Sequence, residues 1–151
     1  MHQSQRGAAQ TSQNFQKSKQ LDWAVLFYAT YFEHTVNAVI DVAARRKKFS
    51  HRDVASIIKD IGMAGKTTWL LRALGLAPLS QFHRNTILKI NEIRNSYVHY
   101  KWQPKGSKID SSAKEALKSV EKTALYIRRY TDRLMYGGQD KHLRKYMKGT
   151  R

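Results

Sequence analysis

Cysteine is absent from this 151-residue chain, and proline occurs only twice, at Pro78 and Pro104. Without thiols there are no disulfides, no thiolate metal sites and no thiol nucleophile, and the composition fits a reducing, cytoplasmic setting. With so few prolines and only eight glycines, long stretches are free of helix breakers. No run of about eighteen apolar residues occurs, so no membrane span is expected. Residues 1–20 are rich in Gln and Ser and lack an apolar core, which argues against a secretory signal. Acidic residues are scarce: 11 Asp and Glu face 28 Lys and Arg, for a net charge of +17. That excess favours an anionic partner such as RNA, DNA or anionic lipid, and says nothing about fold.

What the sequence does contain is helical periodicity. The length suits one domain, and the pattern divides it into an arm without structure at 1–18, a helical domain at 19–136 and a basic tail at 137–151. Leu21, Val25, Tyr28, Phe32, Val36, Val39 and Ala43 recur at three and four residues, the repeat of one helix face. Trp23, Phe27, Tyr31 and Ile40 widen this stripe and predict a first helix packed on two sides, ending in the cations Arg45 to Lys48. Ser50 with Asp53 resembles a capping box that opens a second helix to about Ile61. Gly62 breaks it, and a short third helix spans Thr67 to Leu74 before Gly75 and Pro78. Ser80 opens a fourth helix through Ile87, Ile90, Ile93 and Tyr97. A basic loop follows from Lys101 to Asp110, then one long helix from Ser111 or Ser112 to Tyr136 with Ala116, Val120, Ala124, Ile127 and Leu134 inward. No strand-like alternation appears. The expected fold is an all-α bundle of four to five helices.

Two attractive motifs fail on context. Gly62-Met63-Ala64-Gly65-Lys66-Thr67 looks like part of a phosphate-binding loop, but Asp60 stands where the first glycine belongs and no strand precedes it. It reads as a break between helices, and no nucleotide cofactor is predicted. The six histidines show no metal-ligand spacing such as His-x-x-x-His, so no metal is predicted either.

The strongest chemical signal is Arg94-Asn95-x-x-x-His99 near the end of the fourth helix. Glu92, Asn95 and His99 share one helix face at spacings of three and four. His99 can move a proton near neutral pH, and Arg94 offers a planar fork to phosphate oxygens. Glu33 and His34, mid-helix on the first element, are candidates for supporting groups. Tyr100, Lys101, Trp102, Lys105 and Lys108 combine rings and cations next to the motif, the pairing that single-stranded RNA uses for stacking and phosphate contact.

Ile90-Asn91-Glu92-Ile93-Arg94-Asn95-Ser96-Tyr97-Val98-His99 resembles the signature of the HEPN superfamily (higher eukaryote and prokaryote nucleotide-binding). The resemblance covers about residues 19–136. It implies a HEPN-like helical bundle that dimerises through the motif helix, and a metal-independent endoribonuclease with Arg94 and His99 as catalytic pair and Asn95 between them. It also implies roles of toxin–antitoxin or antiviral defence type, with an antitoxin or activating partner. Other members of the superfamily are binding or regulatory modules without activity, so a non-catalytic nucleic-acid-binding module is the second expectation. A helical adaptor for an acidic protein partner is the third. Helical phase limits the enzyme reading, because five residues at ~100° each set Arg94 and His99 roughly 140° apart. Either the helix ends before His99, or two subunits share the site.

Overall fold

The computed structural model describes residues 2–99 and 108–137, with side chains for residues 17, 19–97, 99 and 111–137. Among the described residues all regular structure is helical, in six helices. They are α1 (His2–Arg46), α2 (His51–Asp60), α3 (residues 63–73), α4 (Gln81–His99), α5 (Lys108–Leu117) and α6 (Val120–Tyr136). The all-α bundle is as expected, with one helix more. None of these helices is long and apolar enough to cross a membrane.

α1 is the central element and touches each of the other five. Val25, Ala29, Phe32, Val36, Val39, Ile40 and Ala43 are buried along it, the spacing that sets one face inward. Ile87, Ile90 and Ile93 of α4 and Val120 and Ile127 of α6 join the same core. Truncating Ile90, which is fully buried, would cost about 2–5 kcal/mol. Trp23 and Phe27 depart from expectation: they are 70% and 66% exposed. Ile40 is fully buried and Tyr31 packs on the core, so the widened stripe is buried in its later part and exposed at Trp23 and Phe27. The backbone of α1 also extends back to His2, through the segment expected to lack structure. No proline interrupts residues 2–20, and the packed part of α1 supplies the nucleus from which helix extends outward.

Local signals set most helix ends. Ser50 and Asp53 form the reciprocal capping box at the start of α2. α1 stops at Lys48, which takes a left-handed φ of 66°. Its N–H donates to the Arg45 carbonyl (2.8 Å) and the Phe49 N–H to the Ala44 carbonyl (3.1 Å), a Schellman closure. Gly75 closes α3 in the same way at φ 76°, with Leu76 N–H on the Leu71 carbonyl at 2.9 Å.

Two elements differ from their predicted bounds. α3 begins at Met63 rather than Thr67, and Lys66–Leu70 wind as a π-helical turn between α-helical Met63–Gly65 and Leu71–Ala73. The six-residue stretch taken as a break is therefore helical from Met63 onward. Gly65 serves close approach, since a Cβ there would lie 2.8 Å from Ile61 Cγ2 and 3.1 Å from the Trp69 indole nitrogen. The predicted last helix is two, because the chain turns at Lys118 and Ser119. There the Ser119 hydroxyl donates to the Ala116 carbonyl (3.2 Å) and pairs with Thr86 (3.2 Å), a local bond that competes with helix continuation.

Polar rungs fix the directions. Tyr130 donates to the Ala77 carbonyl (2.6 Å), Ser80 N–H to Tyr126 (2.8 Å), and His83 pairs with Thr123 (2.8 Å). With Thr86–Ser119 these run in opposite order, so α4 and α6 are antiparallel. Arg46 Nη1 donates to the Leu134 carbonyl (2.8 Å) and Arg94 Nη1 to Glu33 (2.8 Å), which makes α1 parallel to α6 and antiparallel to α4.

Candidate functional site

Arg94 and His99 leave α4 in different directions. The helix is continuous through His99, so the ~100° step per residue applies to the whole motif. Of the two ways to reconcile that phase with catalysis, an early helix end is removed.

Arg94 turns toward α1. Its Nη1 donates to Glu33 Oε2 at 2.8 Å and its Nη2 to Asn91 Oδ1 at 2.8 Å. Nε is buried and makes no hydrogen bond, which leaves the fork incompletely satisfied. The pair is partly sheltered, with side-chain exposures of 25% for Arg94 and 37% for Glu33.

Asn95 and His99 turn the other way, into an open groove between α4 and the start of α3. Leu88, Asn91, Glu92, Asn95, Ser96 and His99 form one wall and Ala64 the other, around ≈ 440 Å³. The face shared by Glu92, Asn95 and His99 is thus a real surface, and Arg94 is not part of it. Asn91 belongs to both sides: its side-chain oxygen holds Arg94, and it lines the groove. Glu92 also sits 3.4 Å from Lys89.

Of the groups expected in supporting roles, Glu33 contacts Arg94 and His34 is exposed on the outer side of α1. Tyr100, Lys101, Trp102 and Lys105 lie outside the described residues, as does the tail from residue 138. Lys108 is the first residue of α5, and its side chain lies outside the described set.

Two members of the polar cluster were not anticipated. Lys66, in the π-helical turn of α3, is 5% exposed, and its Nζ donates to Asn37 Oδ1 at 2.8 Å. Asn37 follows Glu33 by one turn of α1. Burial pushes the Lys66 ammonium below its ordinary pKa, and the negative charge of Glu33 partly offsets this. Placing the start of α3 at Thr67 left Lys66 in a loop. The spacing Met63, Lys66, Thr67, Leu70, all buried, is the signal that puts it on the inward face.

What the cluster offers chemically is an arginine held by a carboxylate and an amide, and, across α4, an imidazole and an amide facing solvent. In one chain these two halves do not converge on a single phosphate.

No protein-family model matches this chain, and comparison with curated proteins and with solved structures gave no match.

Proposed function

We propose that this chain is a HEPN-type endoribonuclease that cleaves RNA by attack of the substrate's own 2′-OH, and that it works as a homodimer. The observation that carries the reading is the Arg94-Asn95-x-x-x-His99 motif on an intact helix, with His99 and Asn95 opening onto a solvent groove and Arg94 fixed on the adjacent face. His99 accepts the 2′-OH proton as the 2′-oxygen bonds to phosphorus and the bond to the 5′-oxygen breaks, and the leaving 5′-oxygen takes its proton from the imidazolium or from water. Arg94 meets the charge that builds on the non-bridging oxygens. Asn95, beside His99 on the groove face, orients the imidazole or the phosphate. The products are a 2′,3′-cyclic phosphate and a 5′-hydroxyl, and DNA, which lacks the nucleophile, resists.

The phase difficulty calls for a second protomer: a two-fold contact through α4, together with release of Arg94 from Glu33, would pair Arg94 of one protomer with the partner's His99. Toxin or defence function, with an inhibitory or activating partner, is the biological setting this chemistry suits. The charge of +17 favours an RNA substrate through phosphate contacts.

One observation favours a second reading. Arg94 is already occupied by Glu33 and Asn91, as it would be in a non-catalytic RNA-binding module. Cleavage assays decide between them. Protein in EDTA should cut single-stranded RNA or transfer RNA, and His99→Ala should abolish cleavage while RNA binding persists. RNA that binds but stays intact leaves the binding module; RNA that does not bind removes both.

A further inference from the structure

We infer that the outer stripe of α1 is a track for single-stranded RNA, with Trp23 and Phe27 as base-stacking platforms; this rests on the RNA reading above. Trp23 and Phe27 are 70% and 66% exposed and lie one turn apart, about 6 Å along the axis. Phe27 is braced edge-on against Tyr28, with centroids 5.3 Å apart and planes at 81°. The contact occupies one edge of the pair and leaves most of the Phe27 ring exposed for stacking.

Position ties the rings to the motif. α1 and α4 are antiparallel, with Arg94 at the level of Glu33. His99 lies five residues on, about 7.5 Å further along α4, which is the level of Tyr28. Trp23 and Phe27 therefore sit at the end of the bundle where His99 faces solvent.

The chemistry of the stripe selects the partner. Beyond the rings, the outward positions of α1 are Thr30, His34 and Ala38, all exposed, and then Asp41, whose carboxylate is paired with Arg45 at 2.9 Å. Lys19, also exposed, lies one turn before Trp23 on the same side, and Lys17, exposed as well, lies about a third of a turn around the helix. A face built to dock a protein helix or enter a lipid surface continues in aliphatic side chains. This one turns polar one step past Phe27, leaving two isolated rings. Bases stack on aromatic faces without regard to sequence while cations follow the phosphates, and a chain of charge +17 complements that backbone.

The test compares binding of a fluorescent oligoadenylate with an abasic RNA of equal length, by anisotropy, in the His99→Ala protein. Trp23→Ala and Phe27→Ala should each weaken oligoadenylate binding by at least ~5-fold. Abasic RNA should bind all these proteins alike, and the salt dependence should keep its slope, because a ring contact releases no counterions. Trp23→Phe should retain most of the affinity. Circular dichroism and melting temperature should match the parent, since both side chains are exposed. Tight RNA binding that ignores both substitutions overturns the track and leaves the RNA reading standing. Absence of any RNA binding overturns both. Loss of self-association or of anionic-vesicle binding in the alanine variants, with RNA affinity unchanged, assigns the rings to a protein or lipid surface instead.

Discussion

Arg94 of α4 and Glu33 of α1 are joined at 2.8 Å across the bundle, on the side of α4 that faces away from the groove of His99. Helix phase sets that side, and Glu33 holds the guanidinium on it. Glu33→Gln removes the charge and keeps the shape. It should lower unfolding free energy by about 0.5–1 kcal/mol, as for a partly exposed pair, measured by urea denaturation. If Glu33 positions Arg94 for catalysis, kcat should fall more than KM rises. A variant that cuts RNA faster than the parent would instead make Glu33 a restraint on Arg94.

The shared-site reading has a stoichiometric consequence. Arg94→Ala and His99→Ala proteins should each be inactive. A mixed dimer keeps one intact pairing of Arg94 with the partner's His99. Equal mixing after subunit exchange should therefore restore about a quarter of parental cleavage, because half the dimers are mixed and each carries one of two sites. Mixtures that stay inactive despite confirmed exchange would rule out paired sites across an interface.

The end of α1 carries a removable strain. Lys48 adopts φ 66°, a conformation that glycine takes freely and a side chain resists by roughly 1 kcal/mol. Lys48→Gly should raise stability by up to about 0.5 kcal/mol after the entropy of the unfolded glycine is set against that gain. Gly75→Ala, at φ 76° in the matching turn of α3, should lower it. Thermal melts of the two variants should move in opposite directions.

Acid should loosen the contact between α4 and α6. His83 is buried, bonded to Thr123 at 2.8 Å and stacked on Tyr126 with centroids 4.0 Å apart. Burial, reinforced by the charge of Lys122, pushes its pKa below 6.5. The unfolded chain then binds the proton more readily, so stability is complete above about pH 6.5 and declines as pH falls through that value toward the folded pKa. His83→Gln should flatten this decline in urea unfolding followed from about pH 7.5 to about pH 5. An unchanged slope would show that other groups govern acid sensitivity.

Much of the architecture is legible in the chain because it depends on near neighbours. Helix periodicity from Val25 to Ala43, the capping box at Ser50 and Asp53, and the stop at Gly75 are all short-range effects, fixed by side chains within a turn or two. The turn at Ser119 is not legible in the sequence, because its hydroxyl pairs with Thr86 of another helix as well as with local backbone. Lys66 is hidden in the sequence because Gly62 and Gly65 read as a break, whereas the helix begins at Met63 and turns Lys66 inward.

The motif shows the same division. Sequence alone determined that Arg94 and His99 are roughly 140° apart, since that follows from residue count and helix geometry. It did not determine what stands on each side of α4. Only the tertiary structure placed Glu33 against Arg94, opened the groove beside His99, and left Trp23 and Phe27 uncovered. Those outcomes depend on which helices neighbour one another and at what level, and such contacts between residues far apart in the chain leave no periodic trace in it.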